Sequence, residues 1–372
     1  MHKVTFYPLG NADCCKVDLD NGRKLLFDYA HPKSADDEDP RIDLANELRE
    51  DLKSAKRDYF DVVAFTHADD DHIRGSSEFF YLEHAKKYQE EDRIKIRELW
   101  VPAAMITEEG AEGEARILRT EARYRLKNGK GIRVFSRPQR LKDWLEKEGL
   151  TVQDREALIT DAGRLAPGFT KEPDSLEFFV HSPFAKSQNG GLVDRNESAL
   201  ILHATFFTDS TTTRMWIIGD STHEVLTDIV DITESHDRED RLEWDIYDIP
   251  HHCSYLAIGP EKGEEKTEPA EKVKSLMSKG SRGGLLIGSS DPIPINDEND
   301  QPPHRQAANY YKEVAKDIVG QFKVTMEHPK TSRPEPLVIT VDKFGATLKK
   351  TLVGGVTTVI SRPAQRVGWT ND

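Results

Sequence analysis

Apolar positions fall in short blocks along the chain, and their spacing switches between two and about 3.6, so strands and helices interleave rather than segregate. Val4–Leu9 and Lys24–Asp28 predict an N-terminal hairpin turning at Asp20-Asn21-Gly22. Leu44–Lys56 has helical spacing. Tyr59–Thr66, β-branched and aromatic, predicts a buried strand. Gly75-Ser76-Ser77 opens a helix expected to reach Tyr88, and Leu99–Pro102 is another short strand. Residues 105–175 are rich in helix formers, with a strand at Ile132–Phe135 and a helix over Gln139–Lys147. Strand-like runs follow at Leu176–Val180, Ala199–Phe207, Met215–Ile218, Ile246–Ile249, Gly284–Ile287, Phe322–Met326, Leu337–Val341 and Ala346–Val353. Polar loops at 259–271 and 291–303 break them up, and Arg362–Asp372 reads as a loose tail. The mixture implies layered α/β architecture.

Composition narrows the function classes. With 52 basic and 66 acidic residues the formal charge is −14, which excludes a generally basic, DNA-coating surface. An apolar content of 37% is too high for a disordered chain. No run approaches the ~18 apolar residues of a membrane helix, and Met1–Phe6 lacks the apolar core of a signal peptide. Three cysteines, two of them adjacent (Cys14, Cys15, Cys253), imply no disulfide framework. A soluble cytoplasmic protein that does not associate with membranes is expected.

The chemistry concentrates in Thr66-His67-Ala68-Asp69-Asp70-Asp71-His72-Ile73-Arg74-Gly75, which leaves a buried strand and enters a helix. So many ionisable groups tolerate burial only with compensation. A divalent cation would supply it, through imidazole nitrogens of His67 and His72 and carboxylates of Asp69 and Asp71. A solvated acidic loop capping the next helix is the plainer alternative. Three further strand ends carry similar groups: Asp28 after Leu25-Leu26-Phe27, Gly219-Asp220 after Trp216-Ile217-Ile218, and His251-His252 after Tyr247-Asp248-Ile249-Pro250.

Their order resembles the metallo-β-lactamase superfamily and, more narrowly, the nuclease-type domain of ComEC competence proteins and their stand-alone relatives. The counterparts here are Gly10-Asn11-Ala12-Asp13, His67–Gly75, Asn196-Glu197-Ser198-Ala199, Gly219-Asp220, Pro250–Ser254, and Gly288-Ser289-Ser290 with Pro303-His304. Ala12, Arg74 and Cys253 stand where that pattern has glycine. The resemblance implies an αββα sandwich of two mixed sheets flanked by helices. The expected organisation is one such domain over 1–354, a largely helical insertion at about 105–175, and a tail over 355–372.

The same resemblance implies a two-metal hydrolase. His67 and Asp69, with His181, would hold one ion; Asp71, His72 and one of His251 and His252 the other; Asp220 would bridge, and Asp28 would orient the loop. His203 reads as packed within its strand, and Asn196 as reaching the site. The oxygen ligand Asp69, where the superfamily usually has His, leaves both Zn²⁺ and Mn²⁺ open. Two such ions share a hydroxide and steady the developing oxyanion. Asp71 would accept the water's proton, and His304 or the non-ligand member of the His pair would protonate the leaving oxygen. A phosphodiesterase or nuclease is the expected activity; a small ester, lactone or lactam hydrolase and a non-catalytic metal-binding module are the alternatives. Residues 116–142 hold ten basic side chains and one acidic one, an island that reads either as a steering surface for a phosphodiester or as a solvated face paired with nearby acids. The insertion is also a place for a partner protein to dock.

Overall fold

Side-chain parity along the strands sorts the core into layers. Lys24–Phe27 sends Leu25 and Phe27 to one face and Leu26 to the other, and Thr211–Ile218 divides Met215 and Ile217 from Trp216 and Ile218 in the same way. In the computed structural model, which describes residues 1–32, 38–184, 195–196, 198–296, 300–350 and 358–359, these faces build three apolar cores. The first packs the helices Leu44–Ser54, Gly113–Asn128 and Gln139–Lys147 on one sheet. The second lies between the two sheets, with Val4, Phe27, Val62 and Trp100 facing Phe178, Leu202, Ile217 and Ile287. The third packs His223–Ser235, Glu271–Ser278 and Arg305–Asp317 on the other sheet. The result is the expected αββα sandwich.

Ten strands form the first sheet, in the spatial order Thr358–Val359, Gly345–Lys350, Leu337–Asp342, His2–Phe6, Cys15–Asp18, Lys24–Phe27, Tyr59–Ala64, Lys95–Pro102, Ile132–Phe135, Ile159–Thr160. Pairing is antiparallel up to Lys24–Phe27 and parallel from there on. The second sheet runs Gln321–Val324, Gly280–Gly288, Trp244–Ile249, Thr211–Ile218, Ile201–Thr208, Leu176–Ser182. Its first four strands are mutually parallel and its last two antiparallel.

Three expectations change. Lys24–Phe27 forms its hairpin with Cys15–Asp18, which also pairs with His2–Phe6 and so separates the two runs expected to be partners. The helix after Gly75 stops at Phe79, because Phe80 turns into a bridge with Ile94 and leaves the helical path. Residues 105–175 are built into the sandwich: two of their strands extend the first sheet, and two of their helices cover it. Most of the tail expected at 355–372 lies outside the described residues. Among the described residues no helix is long and apolar enough to cross a membrane.

Candidate metal centre

The parallel strands deliver their carboxyl ends to one place, where α/β sheets usually hold ligands. Asp28 follows Lys24–Phe27, His67–His72 follows Tyr59–Ala64, Asp220 follows Thr211–Ile218, and His251–His252 follows Trp244–Ile249. The two sheets meet tightly here. Leu200 N–H donates to Thr66 O at 2.8 Å. A Cβ on Gly219 would stand 2.3 Å from Thr66 Oγ1 and 2.7 Å from its Cβ, so only glycine allows Asp220 this close to the His67 loop.

Asp28 organises the loop. Its Oδ1 accepts from Thr66 N–H at 2.7 Å, and its Oδ2 from the Thr66 hydroxyl at 2.7 Å and from His72 Nδ1 at 2.8 Å. With Nδ1 committed, His72 turns Nε2 toward Asp220 Oδ1 at 3.2 Å and Asp13 Oδ2 at 3.5 Å. His252 repeats the scheme: Nδ1 donates to Ser289 O at 2.8 Å, and Nε2 faces Asp71 Oδ2 at 3.0 Å and Asp220 Oδ1 at 3.8 Å. Pinning one ring nitrogen to a carboxylate or carbonyl is how proteins fix the tautomer of a metal-binding imidazole.

Backbone strain concentrates at the same place. His251, His252 and Cys253 have φ of 52°, 50° and 66°, and Asp28 has 56°. Left-handed geometry costs a non-glycine residue about 1–2 kcal/mol, and such residues cluster at functional sites. The turn is held by Ser254 N–H on His251 O (2.9 Å) and His304 N–H on Cys253 O (3.1 Å).

Electrostatics bind the cluster together. Burial alone would raise the Asp220 carboxyl, yet the imidazoles of His252 and His72 hold it well below its ordinary range. Burial disfavours charge on His72 and His252, but Asp28 and Asp220 raise His72 well above the usual imidazole value, and Asp220 and Asp13 bring His252 up to about 10. Imidazoles and carboxylates thus favour one another's charged forms here, a role that a divalent cation would take over.

The donor set fits such a cation. Asp13, His72, Asp220 and His252 each offer a ligand atom, all within 4.8 Å of one another, and His67, Asp71 and His72 form a second such group. Among the described residues His67 Nε2 and His251 Nδ1 are buried without a well-aligned hydrogen bond, His67 Nε2 lying 3.4 Å from Asp69 Oδ2. His72 belongs to both groups. Asp13 is the candidate ligand that the sequence reading did not single out as such; its motif, Gly10–Asp13, carried the only signal. Of the histidine pair it is His252 that joins the group, while His251 Nε2 lies 3.6 Å from Asp220 Oδ2.

Other expected residues are placed differently. Asp69 Oδ1 accepts from Arg195 at 2.6 Å, its Oδ2 lies 3.4 Å from His67 Nε2, and these two neighbours outweigh burial and bring its carboxyl down to about 2. Asp69 is thus an ion-pair partner, and Arg195 also bonds Ala68 O and Glu108. Asn196 sits in the turn that leads to Leu200 and Thr66. His181 is brought elsewhere: its ring stacks on Trp216 at 4.5 Å, and its Nε2–H donates to Arg241 O at 3.0 Å. His203 is packed in its strand, as expected, with Nε2 on Glu243 O. His304 buttresses the back of the His251 turn, Nδ1 accepting from Tyr255 N–H and Nε2 donating to Asp300 O, so neither nitrogen is available as a general acid.

The basic island is partly committed within the fold. Arg125 is buried on Glu121 (2.7 Å); Lys127, Arg133 and Arg137 pair with Glu148, Glu98 and Asp161; Arg119 and Arg123 donate to the carbonyls of Glu108 and Ile106. Four of the ten basic side chains expected to form a steering surface at 116–142 are thereby paired with carboxylates, and two more are tied to backbone carbonyls without loss of charge.

No protein-family model and no curated protein matches the chain. Among solved structures it is similar to unliganded yeast PDE1 (9% identity, 87% of this chain and 97% of that one, TM-score 0.42). It is also similar to Zn²⁺-bound PqqB from Methylobacterium extorquens (10%, 91% and 99%, 0.36). A third likeness is to the metallo-β-lactamase GOB-18 from Elizabethkingia meningoseptica (11%, 74% and 87%, 0.30). Likenesses this distant transfer no activity, and the chemistry rests on this chain's own side chains.

Proposed function

We propose that the protein is a cytoplasmic metal-dependent hydrolase with a dinuclear Zn²⁺ or Mn²⁺ centre, acting on a phosphodiester. The observation that carries this reading is the convergence of Asp13, His72, Asp220 and His252 on one point, with His67 and Asp71 beside them. Three free, buried cysteines agree with a reducing compartment.

Asp13, His72, Asp220 and His252 would hold one cation, and His67, Asp71 and His72 border the place of a second. Bound divalent metal lowers the pKa of water and offsets charge building on a substrate oxygen. The chain's own residues do the rest. Asp28 keeps the His72 proton on Nδ1 and leaves Nε2 as a donor. Ser289 O does the same for His252. Asp71, a third exposed, presents the carboxylate oxygen that is not paired with His252 to receive a proton from the attacking water. His251, one fifth exposed beside Asp220, takes the place expected for His304 as proton donor to the leaving oxygen.

The resemblance in motif order supports a phosphodiester substrate. Pairing of four of the ten basic residues with carboxylates leaves a second reading open, a small ester or lactone, and within the first reading a small phosphodiester. Metal-loaded protein should cleave bis(p-nitrophenyl) phosphate, lose that activity with chelator, regain it with Mn²⁺ or Zn²⁺, and lose it in Asp71→Ala. Cleavage of p-nitrophenyl acetate alone would favour the second reading, and cleavage of neither would overturn both.

A further inference from the structure

A cavity lies on the outer face of the second sheet. At the sheet's edge, residues 163–166 pair with Leu176–Ser182 as an added strand: Gly163 N–H reaches Val180 O at 2.8 Å, and Val180 N–H reaches Arg164 O at 2.9 Å. The cavity, between this edge and the end of helix His223–Ser235, measures about 310 Å³, within the size range of small-molecule sites. None of its lining residues belongs to the metal centre.

Its chemistry is the reverse of the chain's overall charge. Phe179 and His181 form an aromatic wall, Ile232 adds apolar surface, and Arg164, Arg238 and His236 bring cationic or hydrogen-bonding groups. No carboxylate lines it among the described residues, although acidic residues outnumber basic ones by 66 to 52 in the chain. Phe179 already accepts cationic neighbours, with the guanidinium carbons of Arg241 and Arg238 at 5.2 and 5.8 Å from its ring centre. Arg164 is exposed, and its guanidinium has no hydrogen-bond or ion-pair partner among the described residues. Arg238 spends one N–H on Gly163 O (2.7 Å) and keeps others free to donate.

The one feature among the described residues that would oppose an anion is offset. The helix end points carbonyls this way, but His236 Nδ1–H caps Ile232 O at 2.8 Å, and the backbone N–H groups of His236 and Arg238 cap Thr233 O. His181 is fixed by Arg241 O and by stacking on Trp216, so the wall it forms is preorganised rather than collapsible.

We propose that this cavity binds a planar aromatic anion of about mononucleotide size, its ring among the half-buried Phe184 and Ile232 at the edge of Phe179 and its anionic group held by Arg164 and Arg238. The inference does not depend on the activity of the metal centre. Calorimetric titration of chelator-treated protein with adenosine 5′-monophosphate and with 2-naphthoate tests it, with inorganic phosphate and adenosine as the two half-ligands. At least one aromatic anion should bind at least about tenfold more tightly than either half-ligand. Arg164→Glu and, independently, Arg238→Glu, both at exposed positions, should each weaken it at least about tenfold, whereas Asp220→Asn should leave it unchanged. Binding of the nucleotide alone identifies a nucleotide source; binding of both identifies a general aromatic-anion site. Absence of binding by either probe, insensitivity to both arginine variants, or loss in Asp220→Asn overturns the proposal.

Discussion

Asp28→Asn removes one charge and exchanges one oxygen for an amide NH₂ while keeping the side chain's volume. Asp28 accepts three hydrogen bonds, from Thr66 N–H, the Thr66 hydroxyl and His72 Nδ1. An amide oxygen still accepts from the Thr66 backbone, but the NH₂ group cannot accept from His72. The imidazole must then present a lone pair at Nδ1 and carry its proton on Nε2, the nitrogen that faces Asp220 and Asp13. That tautomer cannot ligate. Loss of such an outer-shell partner costs about 10–100-fold in metal affinity, or about 1.4–2.7 kcal/mol. Calorimetric titration with Mn²⁺ or Zn²⁺ at fixed pH reads the effect, with circular dichroism confirming the fold. Asp245→Asn is the control: Asp245 is a buried carboxylate that accepts from Arg214 N–H in the same sheet as Asp220, and its loss should leave metal affinity alone. A folded Asp28→Asn protein that binds metal as tightly as the wild type refutes the orienting role.

Other outcomes follow from the same contacts. Gly219→Ala forces a methyl into Thr66, a clash worth about 1–3 kcal/mol of stability, and should weaken metal binding as the His67 loop is displaced; denaturant unfolding and metal titration together check it. Glu121→Gln leaves Arg125 buried beside a neutral partner and should cost up to about 3–5 kcal/mol, partly recovered in a Glu121→Gln/Arg125→Met double variant; an unchanged unfolding midpoint would contradict the pairing. Metal affinity should fall as pH falls, because His72 and His252 have raised pKa values in the metal-free chain and must shed protons to ligate. The slope of log affinity against pH should approach about two where both are protonated, and a flat profile would show that they are not ligands.

Much of the fold and site was legible in the sequence, for reasons that differ by residue. The strands were readable because β-branched runs such as Tyr59–Ala64 are buried on both faces, and the metal loop because five ionisable groups crowd a strand end. Helix His223–Ser235 was not among the expected elements, although Val225, Leu226, Ile229 and Val230 stand at helical spacing. Asp13 is a single carboxylate in a loop, and only the fold brings it to His72, 59 positions away. His181 misleads because it follows an apolar strand, as a ligand would. Parity with Phe179 turns it to the outer face, away from the layer that Phe178 and Val180 fill. The basic island overstates its free charge because several of its partners, among them Glu98, Glu148 and Asp161, lie outside the segment in sequence. Local charge counting cannot see neutralisation by residues that only tertiary structure brings near.

The central claim is that four residues from four separate loops, Asp13, His72, Asp220 and His252, share a divalent cation. Metal content measured on purified protein, wild type and Asp220→Asn in parallel, tests it most directly. The account predicts stoichiometric Zn²⁺ or Mn²⁺ in the wild type, removed by chelator, restored on addition, and lost in the variant. Metal retained at wild-type level in a folded Asp220→Asn protein would contradict it.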